Sequence, residues 1–383
     1  MPASTLRWDI FCAVVDNYGD VGVAWRLARQ LAREHGIGVR LWVDHLASLA
    51  RLAPQVDAAT STQTVLGVEV RRWDRADGEP AAAAADVVIE AFGCGLPAPY
   101  LEAMVACARQ PVWINLEYLS AEPWIETCHG LASRHATLPL TRYFFFPGFS
   151  AKSGGLLRER DLFARRDRFH ADARAREALW RALGLAPPAA ATLVVSLFCY
   201  PNAALPALLD AWVDGEGPLL CLVPEGVGGE PLERWIASRA PPSEGPLVRG
   251  RLTLAAVPFL AQDDYDRLLW ACDVNFVRGE DSFVRAQWAA QPLVWQVYPQ
   301  TQDAHRLKLE AFVARYAAAL EADAAAWGNF LRAWNDAGDA GATWSSFAAV
   351  RAKLRTHAEA WAAACAGETD LASALVKFCA DRV

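Results

Sequence analysis

The chain has 383 residues, of which 54% are hydrophobic and 21% are charged, and its formal net charge at pH 7 is −7. This length allows two domains with separate cores, and the composition excludes a disordered protein. The negative charge argues against a general nucleic-acid binder, which needs a surplus of Lys and Arg to neutralise phosphates. No apolar run is long enough to cross a bilayer, so we expect no membrane span.

The cysteine pattern and the first residues of the chain indicate in which cellular compartment the protein is expected. The nine Cys are scattered without a Cys-x-x-Cys pair, and most lie inside apolar runs. This usage is typical of reduced core thiols and argues against a disulfide framework or a zinc site. Met1 to Trp8 lack the basic start, apolar core and small-residue cleavage site of a signal peptide. We therefore expect a cytoplasmic protein without a metal site.

Strands and helices alternate through the first part of the chain, which predicts parallel strands joined by crossover helices in an open, doubly wound sheet. In such sheets ligands bind outside the carboxyl ends of the strands, where Asp16 to Asp20, Gly93 to Gly95 and Glu117-Tyr118 would lie. The predicted elements are a strand at Leu6 to Val15, a helix at Val21 to Glu34, a strand at Val39 to Val43, a helix at His45 to Leu52, strands at Val68 to Trp73 and Asp86 to Phe92, a helix at Pro99 to Ala108 and a strand at Val112 to Leu116.

A less regular stretch and a linker follow. Arg142 to Arg168, which contains the aromatic run Phe144 to Phe149, is interpreted as a loop excursion on the rim of the first domain. A helix is predicted at Ala171 to Leu185. Ala186 to Ala191 then has the composition of a linker, so we place the boundary between the two domains here.

The second part restarts the alternation, which predicts a second doubly wound domain, and the pattern is almost entirely helical from Ala304 onward. The predicted domains are residues 1–185 and residues 186–361, with a helix in residues 362–383 packing back on the first domain. The predicted elements are strands at Leu193 to Tyr200, Leu219 to Val223, Leu252 to Phe259, Val274 to Val277 and Leu293 to Val297, and helices at Ala203 to Val213, Leu232 to Arg239, Tyr265 to Cys272 and Ser282 to Ala290.

The stretch from Arg278 to Trp288 combines a strand end, a Gly turn and Asp or Ser at the start of a helix. The free N–H groups and the positive dipole of such a helix start suit a phosphate, to which Ser282 would add a hydroxyl and Arg278 a countercharge. Asp and Ser also cap helices of any function, so the pattern alone leaves both interpretations open.

Two carboxylates, Asp16 and Asp20, lie on the Gly-containing loop that follows the first strand. They could position a nucleophile or take a proton. Equally, Asp16 could shape an Asx turn and Asp20 could cap the helix. Asp264-Tyr265-Asp266 has the spacing of a metal clamp, but its place at a helix start favours capping.

Several common nucleotide and hydrolase motifs are absent. The chain has no Gly-x-Gly-x-x-Gly and no Walker loop, which argues against a nicotinamide enzyme. It also lacks the Gly-x-Ser-x-Gly of α/β-hydrolases.

Long stretches of the chain resemble one known family. Asp16 to Leu31 (DNYGDVGVAWRLARQL) resembles the opening signature of the bacterial protein-arginine rhamnosyltransferases that modify translation elongation factor P, the EarP family. Val257 to Gln262 and Phe276 to Gln287 (FVRGEDSFVRAQ) are similar to the nucleotide-sugar site of that family. The likeness continues through Trp295 to Gln300 and runs in order over nearly the whole chain.

The resemblance implies a GT-B glycosyltransferase, with two facing Rossmann-like doubly wound domains and a cleft between them. It implies inverting transfer of L-rhamnose from dTDP-β-L-rhamnose, without a cofactor or metal, to an arginine side-chain nitrogen of elongation factor P. That modification would activate the factor for rescue of ribosomes stalled at polyproline, and the acceptor would dock mainly on the first domain. The implied catalytic acids are Asp16, Asp20 and Glu280. The implied substrate-binding residues are Asn17, Tyr18, Gly19, Phe198, Tyr200, Phe259, Gln262, Arg278, Asp281, Ser282 and Tyr298.

These implied roles are physically reasonable. Without a cation, the charge of the departing diphosphate must be met by helix N–H groups, Ser282 and Arg278. Phe198 or Phe259 could stack on thymine, although either ring could equally belong to a strand core. Glu280 would be repelled by a diphosphate, so it is expected to accept hydrogen bonds from donor hydroxyl groups or to order its loop.

The acceptor poses a harder problem, because the pKa of a guanidinium lies so far above neutral that its deprotonation at pH 7 costs about 9 kcal/mol. We therefore expect Asp20 to act as a base in concert with attack, while Asp16 holds the guanidinium. Two alternatives remain at this point: a nucleotide-sugar epimerase of the same fold, and a non-catalytic sensor of a nucleotide sugar.

Overall fold

The chain folds into two compact units. The computed structural model describes residues 6–16, 18–74, 83–239, 245–299, 304–320, 323–336 and 338–383. Unit 1 comprises the described residues up to Arg160 together with Cys365–Val383, and unit 2 comprises the described residues of Asp161–Ala364. Unit 1 is therefore built from two separate stretches of chain, whereas unit 2 is one stretch.

Unit 1 is a sheet with helices packed against it. Its strands are β1 (Arg7–Cys12), β2 (Gly38–Val43), β3 (Thr62–Val65), β4 (Val68–Arg72), β5 (Val87–Ala91), β6 (Val112–Leu116), β7 (Ala132–Arg134) and β8 (Thr141–Phe145). Its helices are α1 (Gly19–His35), α2 (Leu46–Leu52), α3 (Ala98–Ala106), α4 (Ile125–Cys128) and, from the second stretch, α15 (Leu371–Ala380), which packs on α1.

Unit 2 repeats this arrangement with a larger share of helix. Its strands are β9 (Leu193–Leu197), β10 (Leu219–Pro224), β11 (Leu247–Arg249), β12 (Leu252–Val257), β13 (Val274–Arg278) and β14 (Leu293–Gln296). Its helices are α5 (Leu162–Ala171), α6 (Ala173–Ala182), α7 (Leu205–Val213), α8 (Gly229–Arg239), α9 (Gln262–Ala271), α10 (Asp281–Ala289), α11 (Ala304–Ala317), α12 (Ala324–Asn335), α13 (Ala340–Ala349) and α14 (Arg351–Ala366), which ends within unit 1.

The boundary between the units lies between Arg160 and Asp161, earlier than the linker suggested by composition. Helices α5 and α6 precede that linker in the chain, but both pack against α9 of unit 2. Packing of these two helices, rather than the Pro-rich composition after them, therefore sets the division of the chain.

The two sheets share a strand order. The order is β3-β4-β2-β1-β5-β6-β8-β7 in unit 1 and β11-β12-β10-β9-β13-β14 in unit 2. All neighbours pair in parallel except the edge pairs β3–β4, β7–β8 and β11–β12. The chain moves outward from β1 in one direction and resumes at β5 in the other, and it does the same from β9 and β13. The junctions β1/β5 and β9/β13 are therefore switch points, where doubly wound sheets bind ligands.

Each sheet is held by a dense aromatic core and a buried ion pair. In unit 1, Phe11 stacks on Trp42 with ring centroids 5.4 Å apart and meets Trp73 and Tyr100 edge-on. In unit 2, Phe276 makes edge contacts with Trp212, Phe330 and Trp334. The buried ion pairs are Arg40 with Asp9 in unit 1 and Arg285 with Asp266 in unit 2.

Helix α1 shows how the sequence sets an element that carries part of the site. Its apolar residues, among them Trp25 and Leu31, recur at helical spacing and are fully buried. Asp20 lies in the first turn, where a carboxylate complements the helix dipole. The helix ends at Gly36, whose φ of 66° is the left-handed conformation that terminates helices.

The predicted alternation of strands and helices is confirmed, and so is the helical region after Ala304. The loop interpretation of residues 142–168 is wrong at both ends, because Thr141–Phe145 forms β8 between β6 and β7 and α5 begins at Leu162, whereas residues 146–161 contain no helix or strand. The aromatic run favours neither strand nor helix periodicity, and most residues of β8 are only half-buried. Among the helices of the described ranges, none combines the length and apolarity that a membrane span requires.

Candidate active site

The loop between β1 and α1 lies at the switch point of unit 1. Its backbone turns tightly, with the Gly19 N–H donating to the Asp16 carbonyl at 2.6 Å. A Cβ at residue 19 would lie 2.7 Å from Asp16 Oδ2, so only glycine allows the Asp16 carboxylate its position. Tyr18 is half-buried just before the helix, and Asn17 lies outside the described residues.

Asp20 is buried, with 2% of its surface exposed, and three donors hold its carboxylate. Oδ2 accepts the backbone N–H groups of Val15 and Asp16, both at 2.9 Å. Oδ1 accepts the hydroxyl of Tyr118 at 3.0 Å. An ionised carboxylate has roughly four acceptor positions. One position on Oδ1 is thus not used by any described residue.

Tyr118, which the strand pattern places on the rim without indicating a role, contacts Asp20. It follows β6 and lies 98 residues from Asp20 in sequence. The sequence feature that could have indicated a role for Tyr118 is its position just after the end of a strand. Its contact with Asp20 depends on the pairing of β1, β5 and β6, which periodicity alone does not fix.

The turn between β13 and α10 lies at the switch point of unit 2. Gly279 has a φ of 60°, which a residue with a side chain rarely adopts. Glu280 is the N-cap residue, and its side chain makes no cap hydrogen bond. Helix α10 begins at Asp281, and the first turn of a helix carries N–H groups without intrahelical partners. This helix start can therefore accept an anion.

Ser282 closes this turn. Its hydroxyl donates to the Arg278 carbonyl at 2.5 Å and accepts the Arg278 N–H at 3.2 Å, and the residue is buried. The hydroxyl hydrogen is thus directed into the turn. In this arrangement the groups that remain for an anion are the backbone N–H groups of the helix start and the guanidinium of Arg278.

Arg278 is held between aromatic rings. Its guanidinium carbon lies 4.5 Å from the ring centroids of both Phe198 and Tyr200, and its Nη1 donates to the Cys199 carbonyl at 3.2 Å. Tyr200 in turn packs edge-on against Tyr298, with ring centroids 5.4 Å apart. These contacts bring four of the proposed substrate-binding side chains into one cluster.

The remaining proposed donor residues lie beside this cluster. Gln262, the first residue of α9, donates from Nε2 to Asp281 Oδ2 at 3.1 Å. Phe198 follows β9 and Phe259 follows β12, and both rings are half-buried. Their position after the strand ends leaves neither ring in a strand core.

Three neighbouring side chains, one thiol and two carboxylates, have a protonation state or an ion-pair partner that the structure accounts for. Burial raises the pKa of the Cys199 thiol to about 12, so the thiol stays protonated at neutral pH. Asp264 pairs with Arg267 at 2.7 Å, and Asp266 pairs with Arg285. The two acids of the Asp-x-Asp pattern therefore each serve an arginine.

The site residues thus form two groups, one at the switch point of each unit. Two α/β units with this strand order are the architecture of the GT-B glycosyltransferases. A solved glycosyltransferase from Rickettsia africae, 8% identical, shares this fold over 98% of this chain and 97% of its own, with a TM-score of 0.53.

Sequence comparisons narrow the class to a family. The family model described as "Elongation-Factor P (EF-P) rhamnosyltransferase EarP" matches residues 8–380. A protein-arginine rhamnosyltransferase of Pseudomonas putida is 51% identical over 385 residues, which cover 97% of this chain and 98% of the relative. A solved structure described as the basis for EarP-mediated arginine glycosylation of elongation factor EF-P is 39% identical, with a TM-score of 0.69, over 98% of this chain and 99% of its own. The chain belongs to the EarP family, and the expected resemblance is confirmed.

Proposed function

We propose that this protein transfers L-rhamnose from dTDP-β-L-rhamnose to an arginine side-chain nitrogen of elongation factor P, with inversion at the anomeric carbon. The observation that carries the proposal is the Asp20 carboxylate, which is buried and held by three donors at the switch point of unit 1. Membership of the EarP family supplies the kind of acceptor and the sugar.

The acceptor reaction requires a proton to leave the guanidinium. Full deprotonation at pH 7 costs about 9 kcal/mol, so the proton must depart as the new bond forms. In the proposed step the nitrogen attacks the anomeric carbon, the bond from that carbon to the diphosphate breaks, and Asp20 receives the proton. Asp16, on the same loop, pairs with the guanidinium and directs one nitrogen toward the sugar.

The donor half of the proposal rests on unit 2. Arg278 and the start of α10 would offset the charge of the departing diphosphate, so the proposed reaction uses no metal and no cofactor. Phe198 or Phe259 would stack on thymine, and Tyr200, Gln262, Asp281, Ser282 and Tyr298 would complete the nucleotide site. Glu280 would accept hydrogen bonds from the hydroxyl groups of the sugar.

The proposed biological role follows from the acceptor. Rhamnosylated elongation factor P would act at ribosomes stalled on polyproline, which places the reaction in the cytoplasm. The partners are then the factor and the nucleotide sugar, with no nucleic acid and no membrane.

The test is to incubate the protein with dTDP-β-L-rhamnose, with and without elongation factor P. We expect the factor to gain the mass of one rhamnose, dTDP to be released in equal amount, and an acceptor whose target arginine is replaced by Lys to remain unmodified. Conversion of the sugar without the factor would indicate an epimerase. Binding of the nucleotide sugar without release of dTDP would indicate a sensor. Either result contradicts the proposal.

A further inference from the structure

Phe92 adopts a backbone conformation that is unusual for a bulky residue. It directly follows β5, at the switch point of unit 1, and its φ is 58°. A side chain at such a φ crowds the following carbonyl, so bulky residues avoid this region. The conformation calls for an explanation, and functional sites are where such strain is concentrated.

The described non-glycine residues with a positive φ all lie in a turn or at a helix end. Among the described residues, Leu66 and Ala290 are the other non-glycine residues with positive φ. Leu66 lies in the short turn between β3 and β4, and Ala290 terminates α10. Turns and helix ends commonly use this conformation. Phe92 also lies in a turn, since the Cys94 N–H donates to the Ala91 carbonyl at 3.2 Å and Gly93 has a φ of 64°, but such turns usually place Gly, Asn or Asp at this position and not a bulky aromatic residue.

The conformation of Phe92 places its ring on Tyr118. The Phe92 N–H donates to the Leu116 carbonyl at 2.7 Å, which ties the backbone to the end of β6. The two rings then stack with centroids 4.4 Å apart and planes 14° apart. Both residues are half-buried on the rim, so the ring contact is not part of the packed core of the sheet.

The stacked Tyr118 donates its hydroxyl to Asp20 Oδ1 at 3.0 Å. The two carboxylate oxygens of Asp20 therefore differ in the number of hydrogen bonds that they accept. Oδ2 accepts two backbone N–H groups, which occupy both of its lone-pair directions, whereas Oδ1 accepts the single hydroxyl. The lone pair that remains belongs to Oδ1, and the hydroxyl of Tyr118 fixes its direction.

We propose that Phe92 and Tyr118 are positioning residues that orient Oδ1 of Asp20 as the atom that accepts the proton of the acceptor arginine. The inference rests on the proposed function, in which Asp20 is the base. The proton passes from the guanidinium nitrogen to Oδ1 while the nitrogen–carbon bond forms and the bond to the diphosphate breaks. Tyr118 keeps its own proton throughout and acts only through Asp20.

The first experiment removes the hydroxyl and keeps the ring, with Tyr118→Phe. We expect kcat for rhamnosylation of elongation factor P to fall about tenfold or more, because an imperfectly directed base loses part of its contribution. The KM for dTDP-β-L-rhamnose and the unfolding temperature should stay at wild-type values. Tyr143→Phe is the matched control, since Tyr143 lies in β8 of the same unit and packs against Phe378; its kcat should be unchanged.

The second experiment removes the ring and relieves the backbone, with Phe92→Gly. We expect a similar fall in kcat, while the unfolding temperature changes little because the relieved strain offsets the lost ring contact. Leu66→Gly is the matched control, because it relieves the same kind of backbone strain, at a φ of 48°, in an exposed turn. Its kcat should stay at the wild-type value.

The outcomes separate this inference from the proposed function. If the wild-type protein transfers rhamnose but both Tyr118→Phe and Phe92→Gly keep the wild-type kcat, the positioning role is wrong and the function stands. A loss of kcat in both that is matched by a fall in unfolding temperature or a rise in donor KM would also overturn it. If the wild-type protein transfers no rhamnose to elongation factor P, both proposals fail.

Discussion

The two units build their switch points from the same strand order but place opposite kinds of side chain there. At β1/β5 of unit 1, the loop after β1 carries Asp16 and Asp20, and Asp20 is held by amide and hydroxyl donors. At β9/β13 of unit 2, Arg278, the last residue of β13, lies between the rings of Phe198 and Tyr200. The shared strand order therefore places both sets of residues at a switch point, where doubly wound sheets bind ligands, and the two sets differ in charge.

The buried aspartates of the two units also differ from Asp20 in the partners of their carboxylates. Each unit has a buried Arg–Asp pair among its described residues, Arg40 with Asp9 in unit 1 and Arg285 with Asp266 in unit 2. In unit 1 the hydroxyl of Tyr100 also donates to Asp9, and burial together with the Asp9 charge raises the pKa of Tyr100. These acids have charged partners inside the protein, whereas Asp20 is held by neutral donors. Asp20 alone among the three therefore remains suited to meet a guanidinium from outside.

The largest effect is expected from Asp20→Asn, which removes the carboxylate at the switch point of unit 1. The rate of rhamnosylation should fall by about 10³-fold, because the base is lost and the new amide cannot accept all three hydrogen bonds. Binding of dTDP, measured by calorimetry, should be unchanged. Asp44→Asn is the control, since Asp44 also accepts a backbone N–H of this loop, that of Val14 at 2.9 Å. A near-normal mass shift of elongation factor P with Asp20→Asn would exclude this residue as the base.

The next effect concerns stability. Arg285→Met should leave the buried Asp266 without its arginine and destabilise unit 2 by about 3–5 kcal/mol. Thermal unfolding followed by calorimetry measures this change. Adding Asp266→Leu to Arg285→Met should restore most of the loss, because an apolar pair no longer buries a lone charge. If Arg285→Met alone unfolds at the wild-type temperature, the pair does not stabilise unit 2.

A smaller effect is expected from Arg278→Gln, which removes the cation from the donor side. The KM for dTDP-β-L-rhamnose should rise about 30-fold, in line with the roughly 2 kcal/mol of a hydrogen bond to a charged group, while the KM for elongation factor P stays the same. Arg239→Gln is the control, because Arg239 of the same unit pairs with Asp210 at 2.7 Å near the surface. A change in the KM for the protein acceptor instead would contradict the division between the units.

The smallest effect is expected from removal of divalent metals. If Arg278 and the start of α10 meet the diphosphate charge, excess EDTA should leave the rate of rhamnosylation unchanged. Loss of activity with EDTA and its recovery with Mg²⁺ would show that a cation shares the donor side with Arg278.

Much of this arrangement follows from local sequence patterns. The loop at Asp16 to Asp20 and the turn at Gly279 were predictable, because each combines an apolar strand, a glycine and a helix start within a few residues. The short antiparallel edge strands β3, β7 and β11 were not, because they have three or four residues and little alternation of apolar and polar side chains.

Local sequence patterns do not predict contacts between residues that are distant in the chain. Nothing near Tyr118 in the sequence indicates that its hydroxyl reaches Asp20, since that contact depends on the order of strands between them. The hydrogen-bond partner of the Ser282 hydroxyl could not be predicted from the sequence either. A serine at a helix start can serve a ligand or the backbone, and only the geometry of the turn shows that its hydrogen is directed to the Arg278 carbonyl.

The composition of unit 1 from two stretches of chain has a consequence for biosynthesis. Helix α1, which carries Asp20, is tied to the second stretch through Gln30 Nε2, which donates to Asp370 Oδ1 at 2.9 Å. Unit 2 lies between the two stretches as one uninterrupted segment. Since domains fold as units while the ribosome extends the chain, unit 1 can complete its fold only after the whole of unit 2 has been made. We therefore expect helix α1 and Asp20 to lack the contact to Asp370 for as long as unit 2 is being synthesised.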